Sequence, residues 1–293
     1  PPSAFSILNS LFSLMTLQGK TALVTGGSRG IGEAIARRLA AEGANVALTY
    51  HSSSAAAEAI IADIGAETAL ALRCDVAEEE DITQTIAATI ERFGSLDILV
   101  NNAGITKDTL ALRMSAEAFE SVLRTNLTGA FLTAKGVLRP MMKNRWGRII
   151  NIASVSALLP AANAHTRYSG TLYPGAKSLL IKVSEALGLE LKDRNVHVTA
   201  VAPGYTWSEF HDVNGARTTV SNLPSFWMLT AEDVAVSGYD AVERGVPLRV
   251  PGAWYKFLVA LSRVLPDPVG QAIMRMQEKR MVAKAKAKAN AAS

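Results

Sequence analysis

The chain has 293 residues, 49% hydrophobic and 19% charged, with a formal net charge of +4. That length buries one large α/β core or two small ones, and the single Cys74 excludes an internal disulfide framework, which points to a reducing, cytoplasmic setting. The basic surplus is local. Residues 253–293 carry five Lys and three Arg against one Asp and one Glu, so residues 1–252 sum to −2 and offer no overall attraction to a nucleic-acid backbone.

Residues 1–16 are apolar but lack a positive start, the first lysine being Lys20, and read as a processed or appended end outside the fold. "TALVT" (21–25) then leads into Ile31, Ile35 and Leu39 at helical spacing, closed by Gly43. "NVALTY" (45–50) precedes an Ala-rich helix. "TALALRCDV" (68–76) precedes another, with Ile82, Ile86, Ile90 and Phe93 closed by Gly94. "LDILV" (96–100), "GRIINIA" (147–153) and "VHVTAVA" (196–202) complete six strands, with long helical segments near 116–143 and 172–193. Apolar strands alternating with helices predict an α/β fold: one Rossmann-type, doubly wound parallel sheet over 17–252, with helices on both faces.

After "PLRVPG" (247–252) the pattern changes. Trp254, Phe257, Leu258, Leu261, Val264 and Leu265 form a helical stripe, "PDP" (266–268) breaks it, and a second helix and a frayed basic tail follow. This extension, 253–293, reads as docking on protein rather than on an anionic membrane surface, because a stripe at helical spacing is first of all a packing face. No apolar stretch is long enough to span a bilayer.

"TGGSRGIG" (25–32) sits between the first strand and the first helix. Gly26 and Gly27 permit a tight turn, Gly30 lets a pyrophosphate approach the backbone, and Gly32 lets the helix pack closely. The helix start offers N–H groups to phosphate. Dinucleotide binding follows from that context.

Here the chain resembles the short-chain dehydrogenase/reductase family, over about residues 17 to 250. The TGxxxGxG spacing falls on Thr25, Gly26, Gly30 and Gly32, "NNAG" on 101–104, "CDV" on 74–76, and "PG" on 203–204. The resemblance implies a catalytic set of Ser154, Tyr173, Lys177 and Asn126. It also implies cofactor contacts from Ser28, Arg29 and Ile31 in the turn, Asp75 and Val76 at the adenine, and Asn102, Ala103 and Gly104 beside it. Pro203, Gly204, Thr206 and Ser208 would lie near the nicotinamide, and Tyr173 and Lys177 at its ribose. The family is commonly dimeric or tetrameric, so a homo-oligomer is expected.

An acid at the end of the second strand would bind the 2′-OH of NAD and repel a 2′-phosphate. "TYHSSS" (49–54) has none there, while Arg29, His51, Ser52 and Ser53 suit a phosphate, so NADP(H) is expected over NAD(H).

Two tyrosines, Tyr168 and Tyr173, compete for the role of acid. Tyr173 and Lys177 stand at i and i+4 on one helix face, where an ammonium favours phenolate. Tyr168 has Leu172 at that position. Pro174 suits the first turn of a helix capped by Thr171 or Ser169, which again places Tyr173 inside it. The family's serine and tyrosine lie closer together than Ser154 and Tyr173, so a short insertion around "RYSGT" is expected, leaving Tyr168 to the substrate side.

Residues 20 to 156 look like a 3-oxoacyl-[acyl-carrier-protein] reductase, and Arg145 and Arg194 lie where such reductases present cations to an acidic carrier. Beyond residue 157 the resemblance shifts to another branch. Ser154, Ser156, His165, Tyr168, Trp207, Phe210 and Trp227 are the expected substrate-pocket residues, with Phe226 and Met228 in the same lid segment. "EFHD" (209–212) lacks the helical pairing of ligands that a metal site needs, and no metal is expected. A carbonyl reductase acting on a 3-oxoacyl thioester or another hydrophobic ketone follows. The rival reading is an NADP(H)-sensing binding protein.

Overall fold

The computed structural model describes residues 17–107, 109–160, 172–208, 221, 223–266, 268–272 and 276. Seven parallel strands form one sheet in the order β3-β2-β1-β4-β5-β6-β7. They are β1 (Thr21–Val24), β2 (Asn45–Tyr50), β3 (Ala69–Arg73), β4 (Ile98–Asn101), β5 (Gly147–Ile152), β6 (Val196–Val201) and β7 (Leu248–Arg249). The helices are α1 (Gly30–Ala41), α2 (Ser54–Ile64), α3 (Glu79–Phe93), α4 (Ala116–Leu123), α5 (Ala130–Asn144), α6 (Tyr173–Leu191), α7 (Ala231–Glu243) and α8 (Ala253–Val264).

Both faces of the sheet are covered, as near-continuous apolar strands require. Along β1, Ala22 and Val24 join the core beneath α1, α2, α7 and α8, while Leu23 joins the one beneath α3 and α5. The same period-2 split places Ile98 and Val100 on the first face and Leu99 on the second. Strand order reverses between β1 and β4, and the loops that leave their carboxyl ends form a crevice there.

Four expectations need correction. The predicted helix over 116–143 is two helices joined by a π-helical turn, Arg124–Gly129, which rotates Asn126 into the interior. "PLRVPG" hides a seventh strand. β7 pairs through Ala200↔Leu248 and Val201↔Arg249 and is too short to show a period. Leu172, not Thr171 or Ser169, occupies the position before α6 and gives no side-chain cap, because Tyr173 already opens the helix and Pro174 needs no donor.

The fourth concerns α8, which buries Tyr255 and Val259 rather than the whole predicted stripe. Phe257 stays 55% exposed and Val264 77%. The helix packs on the core through Tyr255 and Val259 together with Trp254 and Leu258 of the stripe, so the packing face is shifted rather than replaced. Residues 268–272 are helical again after the proline break. Among the described residues no helix is long and apolar enough to cross a membrane.

Candidate active site

The turn after β1 is built from backbone geometry. Gly26 and Gly30 hold φ values of +61° and +57°, in the left-handed region that side chains disfavour. Gly32 packs so closely that a Cβ there would lie 2.4 Å from both Asn102 Nδ2 and the Gly26 carbonyl. Gly27 serves packing more than turning, since its Cβ would meet Leu48 at 2.7 Å.

Asn102 donates from Nδ2 to the carbonyls of Thr25 (3.1 Å) and Gly26 (2.8 Å). Thr25 Oγ1 in turn accepts from the N–H groups of Asn102 (3.0 Å) and Ala103 (3.1 Å). "NNAG" is therefore a brace for the glycine turn. α1 opens at Gly30 with Arg29 at the cap position and no side-chain cap, so its first-turn N–H dipoles face the crevice uncapped. Arg29 itself is exposed. This cradle fits a pyrophosphate.

At the carboxyl ends of β2 and β3, Ser52 is exposed, Val76 is buried, and Asp75 Oδ1 accepts from Ala77 N at 2.9 Å, tying the end of β3 into a local turn. Asp75 Oδ2 lies 3.5 Å from His51 Nε2, a contact between the ends of β2 and β3 that the sequence did not announce. Gly129 closes the floor: a Cβ there would stand 2.3 Å from the Val76 carbonyl.

The reactive cluster lies where β4, β5 and α6 meet. Lys177 is buried and donates from Nζ to the Ile152 carbonyl at 2.7 Å. Burial pulls its ammonium down to about 8. The same Nζ lies 5.8 Å from the centroid of the Tyr173 ring, as the i, i+4 spacing requires. Asn126, 1% exposed, clasps Ile105: Oδ1 accepts from its N–H at 2.7 Å, and Nδ2 donates to its carbonyl at 2.8 Å.

A Cβ built on Gly104 would lie 3.1 Å from Asn126 Oδ1 and 3.7 Å from Lys177 Nζ, so the two side chains converge on one glycine. Ser154 follows β5, and its Oγ accepts from Ser156 N (3.2 Å) and Ser156 Oγ (2.9 Å). Its hydroxyl proton is thereby left to point elsewhere.

Past β6, Pro203 accepts from Val155 N at 2.9 Å and so locks this turn beside Ser154. Thr206 is buried and donates from Oγ1 to the Gly204 carbonyl at 3.0 Å, and Ser208 Oγ lies 3.5 Å from the Thr206 carbonyl. Thr206 also bridges Leu229 as a short parallel pair. Trp207 is 45% exposed and Phe226 62%, while Trp227 is half-buried and stands 5.7 Å, ring to ring, from Trp254 of α8.

His165, Tyr168 and Phe210 lie outside the described residues, as does the "RYSGT" segment up to Thr171. Arg145 and Arg194 are exposed at the amino ends of β5 and β6, the full length of β5 away from Ser154. Arg145 donates from Nη2 to the Asp193 carbonyl at 3.0 Å.

Tyr255 is the residue that sequence reasoning missed. It lies off the predicted stripe, and its role emerges only from contact with Gly204, 51 positions earlier. Among the described residues no three His, Cys, Asp or Glu side chains gather where one ion could be held.

Fold and turn together define a dinucleotide-binding enzyme on a doubly wound sheet. The short chain dehydrogenase family profile matches residues 20–217. A 3-oxoacyl-[acyl-carrier-protein] reductase of Synechocystis sp. is 40% identical over 224 residues, covering 76% of this chain and 88% of that protein. Two solved structures align closely. One, a short chain dehydrogenase from Burkholderia cenocepacia in complex with NADP, has a TM-score of 0.71 at 32% identity and covers 82% of this chain and 99% of its own. The other, a 3-ketoacyl-(acyl-carrier-protein) reductase from Brucella melitensis complexed with NADH, has a TM-score of 0.70 at 27% identity and covers 81% and 99%. The chain belongs to the short-chain dehydrogenase/reductase family and is an NAD(P)-dependent oxidoreductase acting at the C=O/CH–OH level.

Proposed function

We propose that this enzyme is an NADPH-dependent reductase that converts a 3-oxoacyl thioester, or a related hydrophobic ketone, to its hydroxy product. The observation that carries the reading is the buried Lys177, anchored on Ile152 and facing both the Tyr173 ring and the Asn126–Gly104 contact. A buried ammonium at that distance draws a phenol toward phenolate and matches it to neutral pH.

The uncapped start of α1 and Arg29 hold the phosphates, and Lys177 holds the nicotinamide ribose. The cofactor, when bound, supplies a hydride to the carbonyl carbon. Ser154 Oγ donates its proton as a hydrogen bond to the carbonyl oxygen, and Tyr173 transfers its hydroxyl proton to that oxygen. Asn126 Oδ1, next to Lys177 at Gly104, accepts from a water that returns a proton to the tyrosine. The preference for NADPH is supported by the absence of an acid at the end of β2 and by the exposed cation Arg29 in the turn. His51 belongs to the same side, held near Asp75.

The carrier-protein relatives support a thioester substrate. The aromatic side chains Trp207, Phe226 and Trp227 favour a second reading, a bulkier aryl ketone. A homodimer or homotetramer in the cytoplasm is part of the proposal, as is a boundary near residue 252 between catalytic body and extension.

Following NADPH absorbance with acetoacetyl thioesters and with aryl ketones separates the two substrates. Tyr173→Phe retaining full ketone reduction would sink the catalytic assignment. Tight NADPH binding with no turnover on any carbonyl would instead identify a cofactor sensor.

A further inference from the structure

The C-terminal helix enters the site through one side chain. Tyr255, in the first turn of α8, is 2% exposed, and its ring lies flat on Gly204: a Cβ there would fall 2.0 to 2.3 Å from three atoms of that ring. Only a glycine at 204 leaves room for it. The Tyr255 hydroxyl then makes two hydrogen bonds in opposite directions. It accepts from Tyr205 N at 2.9 Å and donates to the Trp227 carbonyl at 2.6 Å. Burial holds the phenol well above its ordinary value, so the donor half of this bridge is not lost at working pH.

The surrounding contacts make the bridge part of a continuous assembly. Leu229 N donates to the Tyr205 carbonyl at 2.9 Å, and Trp207 N to the Leu229 carbonyl at 2.9 Å. Gly252, before α8, stands so near Leu229 that a Cβ would come within 2.9 Å of its Cδ2. Pro203, one residue before the glycine, is bonded to Val155 and so to the loop that carries Ser154. One phenol therefore ties together the turn after β6, the segment before α7 and the extension.

We infer that Tyr255 is a positioning residue: it holds the Pro203–Thr206 turn against the nicotinamide side of the cofactor site and fixes the Trp227–Leu229 segment over the substrate side. The extension is thus a working part of the active site. The inference rests on the proposed function in assigning the Gly204 turn to the cofactor and the Trp227–Leu229 segment to the substrate.

Tyr255→Phe keeps the ring on Gly204 and removes both hydrogen bonds. Hydrogen exchange at the Tyr205 amide is expected to speed up about tenfold, because a buried N–H loses its acceptor. The Kd for NADPH, read by fluorescence, and the KM for ketone are each expected to rise about tenfold, with kcat changed less and the melting midpoint within a few degrees of the unsubstituted chain.

Unchanged exchange at Tyr205 overturns the inference. So does faster exchange with NADPH affinity and KM both unmoved. Failure of the unsubstituted chain to bind NADPH overturns the proposed function itself. NADPH binding by the unsubstituted chain, with affinity and KM both unmoved in Tyr255→Phe, overturns only the positioning role. Should Tyr255→Phe fold poorly, exchange at the Tyr205 amide of the unsubstituted chain is compared with and without saturating NADPH, and protection that the cofactor leaves unchanged would equally count against the inference.

Discussion

The glycine turn after β1 and the Pro203–Gly204 turn after β6 both bring backbone close to a neighbour, but they are held by different means. Around Gly32 the atoms that forbid a side chain are the turn's own Gly26 carbonyl and the amide of Asn102, at the end of the adjacent strand. Around Gly204 all three nearest atoms belong to Tyr255, on a helix beyond the end of the sheet. The first turn is held by a backbone carbonyl within it and by the end of the neighbouring strand. The second is held by a single side chain of the extension.

The largest expected effect tests the chemistry that both turns serve. Tyr173→Phe should lower kcat for ketone reduction by about 10³-fold, the general-acid contribution, while NADPH affinity stays within a factor of about two. Stopped-flow hydride transfer separates the two quantities.

Next come the two glycines themselves. Gly32→Ala should weaken NADPH binding by about 10²-fold through displacement of the turn, and adding Asn102→Ala should not restore it, because the Gly26 carbonyl still blocks the space. In Gly204→Ala, adding Tyr255→Ala should relieve the clash, since the obstructing atoms are all on one ring, but should return NADPH affinity only to that of Tyr255→Ala alone, because both positioning hydrogen bonds are gone. Calorimetric titration of the double variants reads both cycles. Equal rescue at the two positions would erase the distinction between them.

Arg29→Ala should raise the Kd for NADPH about tenfold and leave that for NADH nearly unchanged, the worth of one charge-assisted contact to a 2′-phosphate. Parallel losses for both cofactors would refute the proposed preference.

The smallest effect concerns Lys177. Its folded-state value, about 8, lies below the ordinary 10.5, so folding is opposed by the buried ammonium below pH 8. That opposition is relieved as the pH rises from about 8 toward 10.5, where the unfolded chain still binds the proton. Urea midpoints of the unsubstituted chain should therefore gain on those of Lys177→Met over that interval. A constant gap would show that the amine is not desolvated.

Much of this was legible in the residues. Six of the seven strands announce themselves as apolar runs, and the Thr25–Gly32 turn carries its function in its spacing. The four-residue step from Tyr173 to Lys177 puts both on one helix face, a rule of helix geometry that needs no tertiary information, and the amine does lie 5.8 Å from that ring. β7 was not legible, because two residues have no period, and its pairing with β6 is decided by the sheet edge. The π-helical turn that aims Asn126 was hidden too. "RTNLTG" reads as ordinary helix, and the extra residue per turn is imposed by the close approach of Gly129 to Val76.

The sequence by itself determined the sheet, the cofactor turn and the pairing of Tyr173 with Lys177. These depend on backbone periodicity and on steps of three or four residues, which any reader of the chain can count. Only the tertiary structure decided that Asn102 braces the turn through Thr25, that Lys177 is anchored on Ile152, and that Tyr255 rests on Gly204. Each of these joins groups between 25 and 77 positions apart. Contacts of that kind are selected by packing across the whole fold, and no local pattern in the chain records which partner will arrive.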